Sequence, residues 1–318
     1  MSVPSSTGAT TDRASTEAVR APASSATRQT GQRSRARAYY ELTKPGITRL
    51  SVLTALAGYY MALTGPIDWV RLLHLVVGTA LAASGTNALN QVAERENDGR
   101  MRRTRIRPLP SGRLEPGEAA RFSWGTTVVG LAYLAFFVEP LTSLVTAAST
   151  VSYVFIYTPL KQRTSLSTIV GAVPGALPIL AGWTAAGNGV NTVGWALFWI
   201  LFLWQLPHFL ALAWLYREDY REGGFAMLSL FDPDGEQTSR QAMLYAVTLL
   251  PVSLLPTLLG LTGALYFFGA LILGIAFAGL AVAMTLDRSR VRARRLFLGS
   301  IIYLPVLLLL MVLDKLPA

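Results

Sequence analysis

The chain has 318 residues, of which 52% are hydrophobic and only 14% are charged. Soluble domains carry about 25% charged residues, so this composition excludes an ordinary soluble domain and predicts a membrane protein. The formal net charge is +10 and cysteine is absent; no disulfide, thiol catalysis or thiolate metal site can form, and the basic residues of a membrane chain indicate topology rather than a nucleic-acid partner.

The N-terminal residues 1–38 are rich in Ser, Thr, Ala and Arg and contain no apolar run. Such a segment cannot bury enough apolar surface to fold. We expect residues 1–38 to be a disordered cytoplasmic tail, and residues 39–318 to form an integral membrane domain.

Nine hydrophobic segments follow, each near the roughly 20 apolar residues that a helix needs to cross a bilayer. They predict an all-α, polytopic membrane protein with nine transmembrane helices. Some contain proline, which membrane helices tolerate where neighbours satisfy the freed backbone groups. The predicted helices span residues 46–63, 69–90, 120–137, 141–158, 166–185, 193–215, 241–260, 264–285 and 296–313.

The basic residues fall on one side of this arrangement. With nine crossings, 26 of the 28 Lys and Arg residues lie on the face of the N-terminus, and only Arg71 and Lys315 lie opposite. The positive-inside rule makes the crowded face cytoplasmic, or the matrix face in a mitochondrion. The Arg-rich and Ala-rich composition favours a bacterial cell membrane over the mitochondrial inner membrane.

An acidic segment follows the second predicted helix. Asn90, Glu94 and Asp98 are spaced i, i+4 and i+8, which aligns their oxygen atoms along one face of a helix. Mg²⁺ is held by one or two carboxylates together with phosphate oxygens and water. Arginines downstream offer planar forks suited to phosphate. A magnesium and diphosphate site is therefore favoured over a charge-paired helix end; the arginines concerned are Arg102, Arg103, Arg105 and Arg107.

Two further segments lie on the same face. Asp219 and Glu222 are spaced i, i+3 after the sixth helix, and Lys161 and Arg163 follow the fourth. Two carboxylate clusters facing one another could hold two or more Mg²⁺ ions against one diphosphate. An interfacial polar cap is the alternative for the second acidic segment, and topology alone would explain the two cations.

These residues resemble the UbiA superfamily of intramembrane aromatic prenyltransferases. Its first motif is Asn-x₃-Asp-x₃-Asp followed by a basic Arg-Thr-x₂-Arg-Pro-Leu element, and the resemblance covers residues 41 to about 314. Glu94 departs from the middle Asp of the motif but keeps the carboxylate. In the second motif the first of two aspartates falls on Leu215 and the second on Asp219, which leaves Glu218 or Glu222 as the candidate substitute ligand. The matching segments here are Asn90 to Asp98, Arg102-Arg103-Thr104 and Arg107-Pro108-Leu109.

Within the superfamily the chain is similar to the branch that farnesylates haem. The segments that carry this similarity are Leu42 to Pro45, Tyr157 to Lys161, Pro207-His208-Phe209 and Asp219 to Leu228. The resemblance implies a helical bundle with an active-site cavity open to the cytoplasmic face. It implies transfer of a farnesyl group from farnesyl diphosphate to a vinyl group of haem b, with addition of water, to give haem O.

The resemblance also implies roles for individual residues. Asn90, Glu94, Asp98 and Asp219 would be catalytic Mg²⁺ ligands, with Glu222 as a further ligand. His208 is a candidate ligand for the haem iron, since an intramembrane His is costly and often functional; packing is the alternative. Haem O is a precursor of haem A, so haem A synthase is a candidate partner. The candidates for binding diphosphate are Arg102, Arg103, Arg107, Lys161 and Arg163.

Three competing functions remain. The acceptor could be a quinone precursor or another aromatic ring, because acceptor choice rests on the resemblance alone. A secondary transporter would use carboxylates on an ion path, but transporters place such groups near the midplane, whereas these acids lie at one edge. A haem-binding membrane protein without catalysis would give the diphosphate cluster no purpose.

Overall fold

The computed structural model describes residues 34–317. Nine long helices follow one another through this range, and each of the predicted hydrophobic segments is helical. They are α1 (Pro45–Ala62), α2 (Trp69–Ala93), α3 (Pro116–Phe137), α4 (Pro140–Leu160), α5 (Ser167–Ala185), α6 (Thr192–Leu215), α7 (Glu236–Leu258), α8 (Ala264–Leu286) and α9 (Arg290–Leu313).

Seven of these helices are long and apolar enough to cross a membrane, and α1 and α3 are the two that are not. The described residues contain no β-strand and only an isolated bridge between Thr262 and Lys315. The predicted class, an all-α polytopic membrane protein, is therefore confirmed, while the count of nine crossings stays a prediction.

Local signals explain where the helices begin. The side chains of Asp68, Asn191 and Ser289 accept hydrogen bonds from backbone N–H groups in the first turns of α2, α6 and α9. These caps satisfy donors that have no partner within a helix. Proline occupies the first turn of α1, α3 and α4, where its missing N–H costs nothing.

Each helix packs against the next along the chain and α9 contacts α1, while α1 also packs against α5 and α6 against α9. Glycines allow the closest approaches. A Cβ on Gly58 of α1 would lie 2.0 Å from the Ile179 carbonyl oxygen, and one on Gly182 of α5 would lie 1.8 Å from the Ala55 carbonyl oxygen. The backbones of α1 and α5 are thus in direct contact, as is common where membrane helices pack through small residues.

Residues 34–42 are also helical. Ala38 and Leu42 are fully buried and pack with Ala88 and Leu109, and Arg35 forms an ion pair with Glu118. The last residues assigned to the disordered tail, 34–38, therefore belong to a packed helix, because this helix has an apolar side that docks on the bundle. The rest of the predicted tail lies outside the described residues.

The connections after α2, α4 and α6 form one layer over an end of the bundle. The first contains a short helix, Arg95–Arg100, and the third contains another, Arg217–Glu222. Asn97 Nδ2 donates to the Gly223 carbonyl oxygen (2.7 Å), and the Ala226 N–H donates to the Lys161 carbonyl oxygen (2.9 Å). The three predicted polar segments are therefore neighbours.

Candidate active site

A cavity of about 400 Å³ lies inside the bundle, beneath this layer. Helices α1, α2, α4, α5 and α6 supply most of its wall. The wall is mainly apolar and aromatic, with its charged groups supplied by the helix ends and connections of the layer. The end of the cavity beneath the layer is its charged end. Its charged and amide groups are Lys44, Asn90, Glu94, Asp98, Arg103, Arg107 and Lys161.

Asn90, Glu94 and Asp98 all line the cavity and are at most 2% exposed. Asn90 lies in the last turn of α2, Glu94 joins the two helices, and Asp98 lies in the helix Arg95–Arg100. The i to i+4 hydrogen bonds continue through the junction, from the Glu94 N–H to the Asn90 carbonyl (2.9 Å) and from the Asp98 N–H to the Glu94 carbonyl (2.8 Å). The three side chains are therefore stacked on one face.

Each of these acceptors has its own cation. Lys44 Nζ donates to Asn90 Oδ1 at 2.5 Å. Lys161 Nζ lies 3.2 and 3.3 Å from the two Glu94 carboxylate oxygens, and Arg107 Nη1 donates to Asp98 Oδ2 at 2.6 Å. Charges this deeply buried are tolerated only when they are paired.

The pairing sets the ionisation of the site. Burial opposes the charge on Glu94, but Lys161 and Lys44 outweigh it and hold the pKa of Glu94 below its usual value. Burial likewise opposes the charge on Lys161, and Glu94 overcomes it and raises the pKa of Lys161. Burial, assisted by the nearby Arg107, lowers the pKa of Lys44 to about 7. Glu94 and Lys161 are thus an ion pair at neutral pH.

One carboxylate oxygen in the cavity has no partner. Asp98 Oδ1 is buried and makes no hydrogen bond to any residue of the range 34–317. Asn90 Nδ2 donates to Thr158 Oγ1 at 2.9 Å, which turns Oδ1 of the same amide toward Lys44. An unpartnered carboxylate oxygen beside a second carboxylate and an amide oxygen fits Mg²⁺, which needs few protein ligands when phosphate supplies the rest.

The described residues contain no cluster of three or more His, Asp or Glu side chains close enough to hold a metal ion. Asp219 is half-buried and Glu222 is exposed, and neither lines the cavity. Tyr220 lines it instead. Because successive helical residues point about 100° apart, an inward Tyr220 turns the side chains on either side of it away.

Of the five cations predicted to bind diphosphate, some line the cavity and others do not. Arg103, Arg107 and Lys161 line the cavity, although Arg103 is exposed; Arg102 and Arg163 are also exposed and do not line it. The Arg103 guanidinium lies 5.2 Å from the centre of the Tyr216 ring. The structure therefore gathers three of the five cations at one end of the cavity.

Sequence reasoning gave no role to Lys44, although it lies in the cavity. It is the single non-glycine residue of the range 34–317 with positive φ, at 48°, and such strained residues cluster at functional sites. Two signals were available: the residue precedes Pro45, and it is one of three lysines among the 28 basic residues.

Tyr153 and Tyr157 were also missed. They lie in a π-helical segment of α4, Ser152–Tyr157, and their rings stack 5.3 Å apart on the cavity wall. Pro159 follows this segment and cannot donate a hydrogen bond, and the Thr158 N–H donates to the Tyr153 carbonyl, five residues back. Such π-bulges occur often at functional sites.

His208 lines the cavity from α6, where Pro207 precedes it. Its Nδ1 lies 2.7 Å from Ser300 Oγ of α9. The Trp204 ring stacks on the imidazole at 5.5 Å, and the Phe297 ring lies 4.8 Å from it. The imidazole is therefore held in an aromatic part of the wall.

Comparison with known proteins places this geometry in a family. The model of the UbiA prenyltransferase family matches residues 51–305. A protein from Solibacter usitatus that is named Protoheme IX farnesyltransferase is 47% identical over 288 residues, which are 88% of this chain and 99% of that protein.

Solved structures agree on the fold. A digeranylgeranylglyceryl phosphate synthase has a TM-score of 0.74 at 19% identity, over 88% of this chain and 98% of its own. A UbiA homolog from Archaeoglobus fulgidus, bound to GPP and Mg²⁺, has a TM-score of 0.64 at 15% identity, over 86% of this chain and 99% of its own. This chain belongs to the UbiA prenyltransferase family and is an integral membrane prenyltransferase.

Proposed function

We propose that this chain transfers a farnesyl group from farnesyl diphosphate to a vinyl group of haem b, with addition of water, to give haem O and diphosphate. The observation that carries the proposal is the 47% identity, over nearly the whole chain, to a protein named Protoheme IX farnesyltransferase. The cavity supports the same chemistry, since one end is charged and most of the remaining wall surface is apolar.

Asn90, Glu94 and Asp98 would hold Mg²⁺, and the unpartnered Asp98 Oδ1 is the atom that supports this most directly. Asp219 and Glu222 stay predicted ligands on the neighbouring connection. A bound Mg²⁺ neutralises diphosphate charge and makes diphosphate a better leaving group. The homolog from Archaeoglobus fulgidus that was solved with GPP and Mg²⁺ supports a divalent cation in this reaction.

The chain's own cations would bind the departing diphosphate. Lys44, Arg103, Arg107 and Lys161 line the charged end, where positive groups stabilise the charge that develops on the leaving oxygen. The C1–O bond of farnesyl diphosphate breaks and its electron pair stays with diphosphate. Arg102 and Arg163 stay predicted contacts at the rim.

The allylic carbocation then reacts with the vinyl group. Its C1 bonds to the terminal vinyl carbon, and the positive charge moves to the inner vinyl carbon. Water adds there and loses a proton, which leaves the hydroxyethylfarnesyl side chain. The apolar and aromatic wall, including the stacked Tyr153 and Tyr157, would keep water from the first cation.

We propose His208 as the residue that binds the haem iron, because it presents an imidazole to the cavity between two aromatic rings. We also propose a bacterial cell membrane, with the charged layer and the N-terminus on the cytoplasmic side, as the one-sided distribution of Lys and Arg indicates. Haem A synthase, which would consume the product, is the proposed partner.

The product decides the proposal. Purified protein in lipid would receive Mg²⁺, farnesyl diphosphate and either haem b or 4-hydroxybenzoate, and the products would be identified by mass. We expect a product with the mass of haem b plus one farnesol, and no prenylated benzoate. Prenylation of the benzoate alone would overturn the haem assignment and favour a quinone precursor as acceptor.

A further inference from the structure

We propose that Ser300 is a positioning residue that fixes the tautomer of His208, so that Nε2 carries the lone pair and faces the acceptor. The proposal rests on the proposed function, in which the acceptor is haem. It starts from two short contacts of one hydroxyl group. Ser300 Oγ lies 2.7 Å from His208 Nδ1 and 2.6 Å from the Phe297 carbonyl oxygen.

The single hydroxyl proton settles the direction of both bonds. A carbonyl can only accept, so a 2.6 Å contact between Ser300 Oγ and the Phe297 oxygen requires the Ser300 proton between them. Ser300 Oγ then has only lone pairs left for His208. Nδ1 must therefore carry the imidazole proton and donate it to Ser300. If the hydroxyl proton turned to Nδ1, two oxygen atoms would face each other at 2.6 Å with no proton between them.

The hydrogen-bonded pair of Ser300 and His208 is rigidly held. Ser300 is fully buried, and Trp204 Nε1 donates to the Ser300 backbone carbonyl at 2.8 Å. The rings of Trp204 and Phe297 limit rotation of the imidazole. Helices α6 and α9 are thus tied together at the residue that sets the tautomer.

Nε2 is the ring nitrogen that remains. Nδ1 is turned toward α9, and Nε2 makes no hydrogen bond to any residue between 34 and 317, although His208 lines the cavity. A neutral imidazole with a free Nε2 lone pair is a ligand for haem iron. Metal-binding histidines commonly donate the other N–H to a fixed acceptor, and loss of that acceptor costs about 10–100-fold in metal affinity or activity.

The experiment compares Ser300→Thr with Ser300→Val. The two new side chains have the same shape, so steric crowding affects both variants equally and only the hydroxyl group differs. Purified protein would be titrated with haem b, and the Soret spectrum, the Kd for haem and the KM for farnesyl diphosphate would be measured. We expect Ser300→Val to weaken haem binding about 10–100-fold relative to Ser300→Thr and to lose the spectrum of nitrogen-ligated iron. The KM for farnesyl diphosphate should stay within about two-fold.

Ser300→Ala and His208→Ala complete the test. Ser300→Ala only removes an atom, so it decides the question if the larger variants fail to fold, and it should behave like Ser300→Val. In the His208→Ala background it should have no further effect on haem affinity, because the two residues act as a unit. Equal haem spectra and affinities for Ser300→Ala and the wild type would overturn the proposal for Ser300.

The same titration separates this proposal from the proposed function. A wild type that forms haem O, with a nitrogen-ligated spectrum that Ser300→Ala leaves unchanged, keeps the function and removes the role of Ser300. A wild type that neither binds nor farnesylates haem b removes the function, and the role of Ser300 toward haem falls with it.

Discussion

Individual side chains at the charged end of the cavity are paired before any ligand enters. Lys44, Lys161 and Arg107 each bind one acceptor of the Asn90, Glu94 and Asp98 row. Pairing lowers the free-energy cost of burying these charges in the apolar bundle. In the proposed reaction a divalent ion would be held by the carboxylates, which would leave these basic side chains free to bind phosphate oxygens.

The first prediction concerns Asp98. Asp98→Asn keeps the shape of the side chain but removes the charge from the unpartnered oxygen, and it should lower kcat at least about 100-fold. The measurement is haem O formation by the purified variant. Glu96→Gln is the matched control, because Glu96 is an exposed carboxylate two residues away, and it should leave kcat within about two-fold. Equal losses in both variants would contradict the assignment.

A second prediction separates two cations of one connection. Lys161→Gln should raise the KM for farnesyl diphosphate and lower kcat, since Lys161 lines the cavity and pairs with Glu94. Arg163→Gln should change both constants less than Lys161→Gln does, because an exposed contact at the rim contributes less than a buried one. Steady-state kinetics with both substrates would check this. A larger loss from Arg163→Gln than from Lys161→Gln would show that the connection rearranges around the substrate.

The sequence predicted some side-chain positions and missed others for a physical reason. Asn90, Glu94 and Asp98 share a face because helical periodicity is local, and it holds wherever the helix forms. Lys44 reaches Asn90 across 46 residues, and only the packing of α1 against α2 creates that contact. Asp219 turns away from the cavity because the six-residue helix Arg217–Glu222 presents Tyr220 instead.

The ends of the helices were also predicted correctly in some cases and missed in others. The bounds of α5, α6 and α8 differ from the predicted ones by one residue at most at each end, since apolar runs fix them. Helix α7 begins at Glu236 and α9 at Arg290, five and six residues before the predicted starts. Hydropathy detects only the apolar part of a helix, whereas caps such as Ser289 set its true start. No apolar pattern distinguishes the π-helical segment of α4 from an α-helix.

A third prediction concerns the contact between α1 and α5. Gly182→Ala would place a Cβ 1.8 Å from the Ala55 carbonyl oxygen, so the two helices must separate. Overpacking of this kind costs about 1–3 kcal/mol, and thermal unfolding in detergent should show a lower Tm. Gly125→Ala is the control, because a Cβ there meets no atom within 4 Å. A Tm for Gly182→Ala equal to that of Gly125→Ala would contradict the close contact.

In the whole molecule, the charged end of the cavity lies at one end of the helical bundle. The connections after α2, α4 and α6 bind one another and cover the charged end of the cavity. The fold class could be predicted from composition and hydropathy, because long apolar segments with few charges are stable as helices in a bilayer. The contacts within this layer could not, since they join segments more than 60 residues apart.

The absence of cysteine allows a direct test of orientation. A cysteine at Gly189, in the connection between α5 and α6, should react with a membrane-impermeant maleimide in intact cells. A cysteine at Arg105, which is exposed in the connection after α2, should react only after the membrane is permeabilised. The reverse pattern would place the charged layer outside the cell and contradict the predicted topology.

The dependence of turnover on a divalent cation tests the central claim most directly. Farnesyl diphosphate and haem b would be supplied to the wild-type protein in excess chelator, and Mg²⁺ would then be restored in steps while haem O and free diphosphate are measured. We predict no turnover in chelator and recovery of both products together as Mg²⁺ returns. Full turnover in excess chelator would contradict the role of the Asn90, Glu94 and Asp98 row.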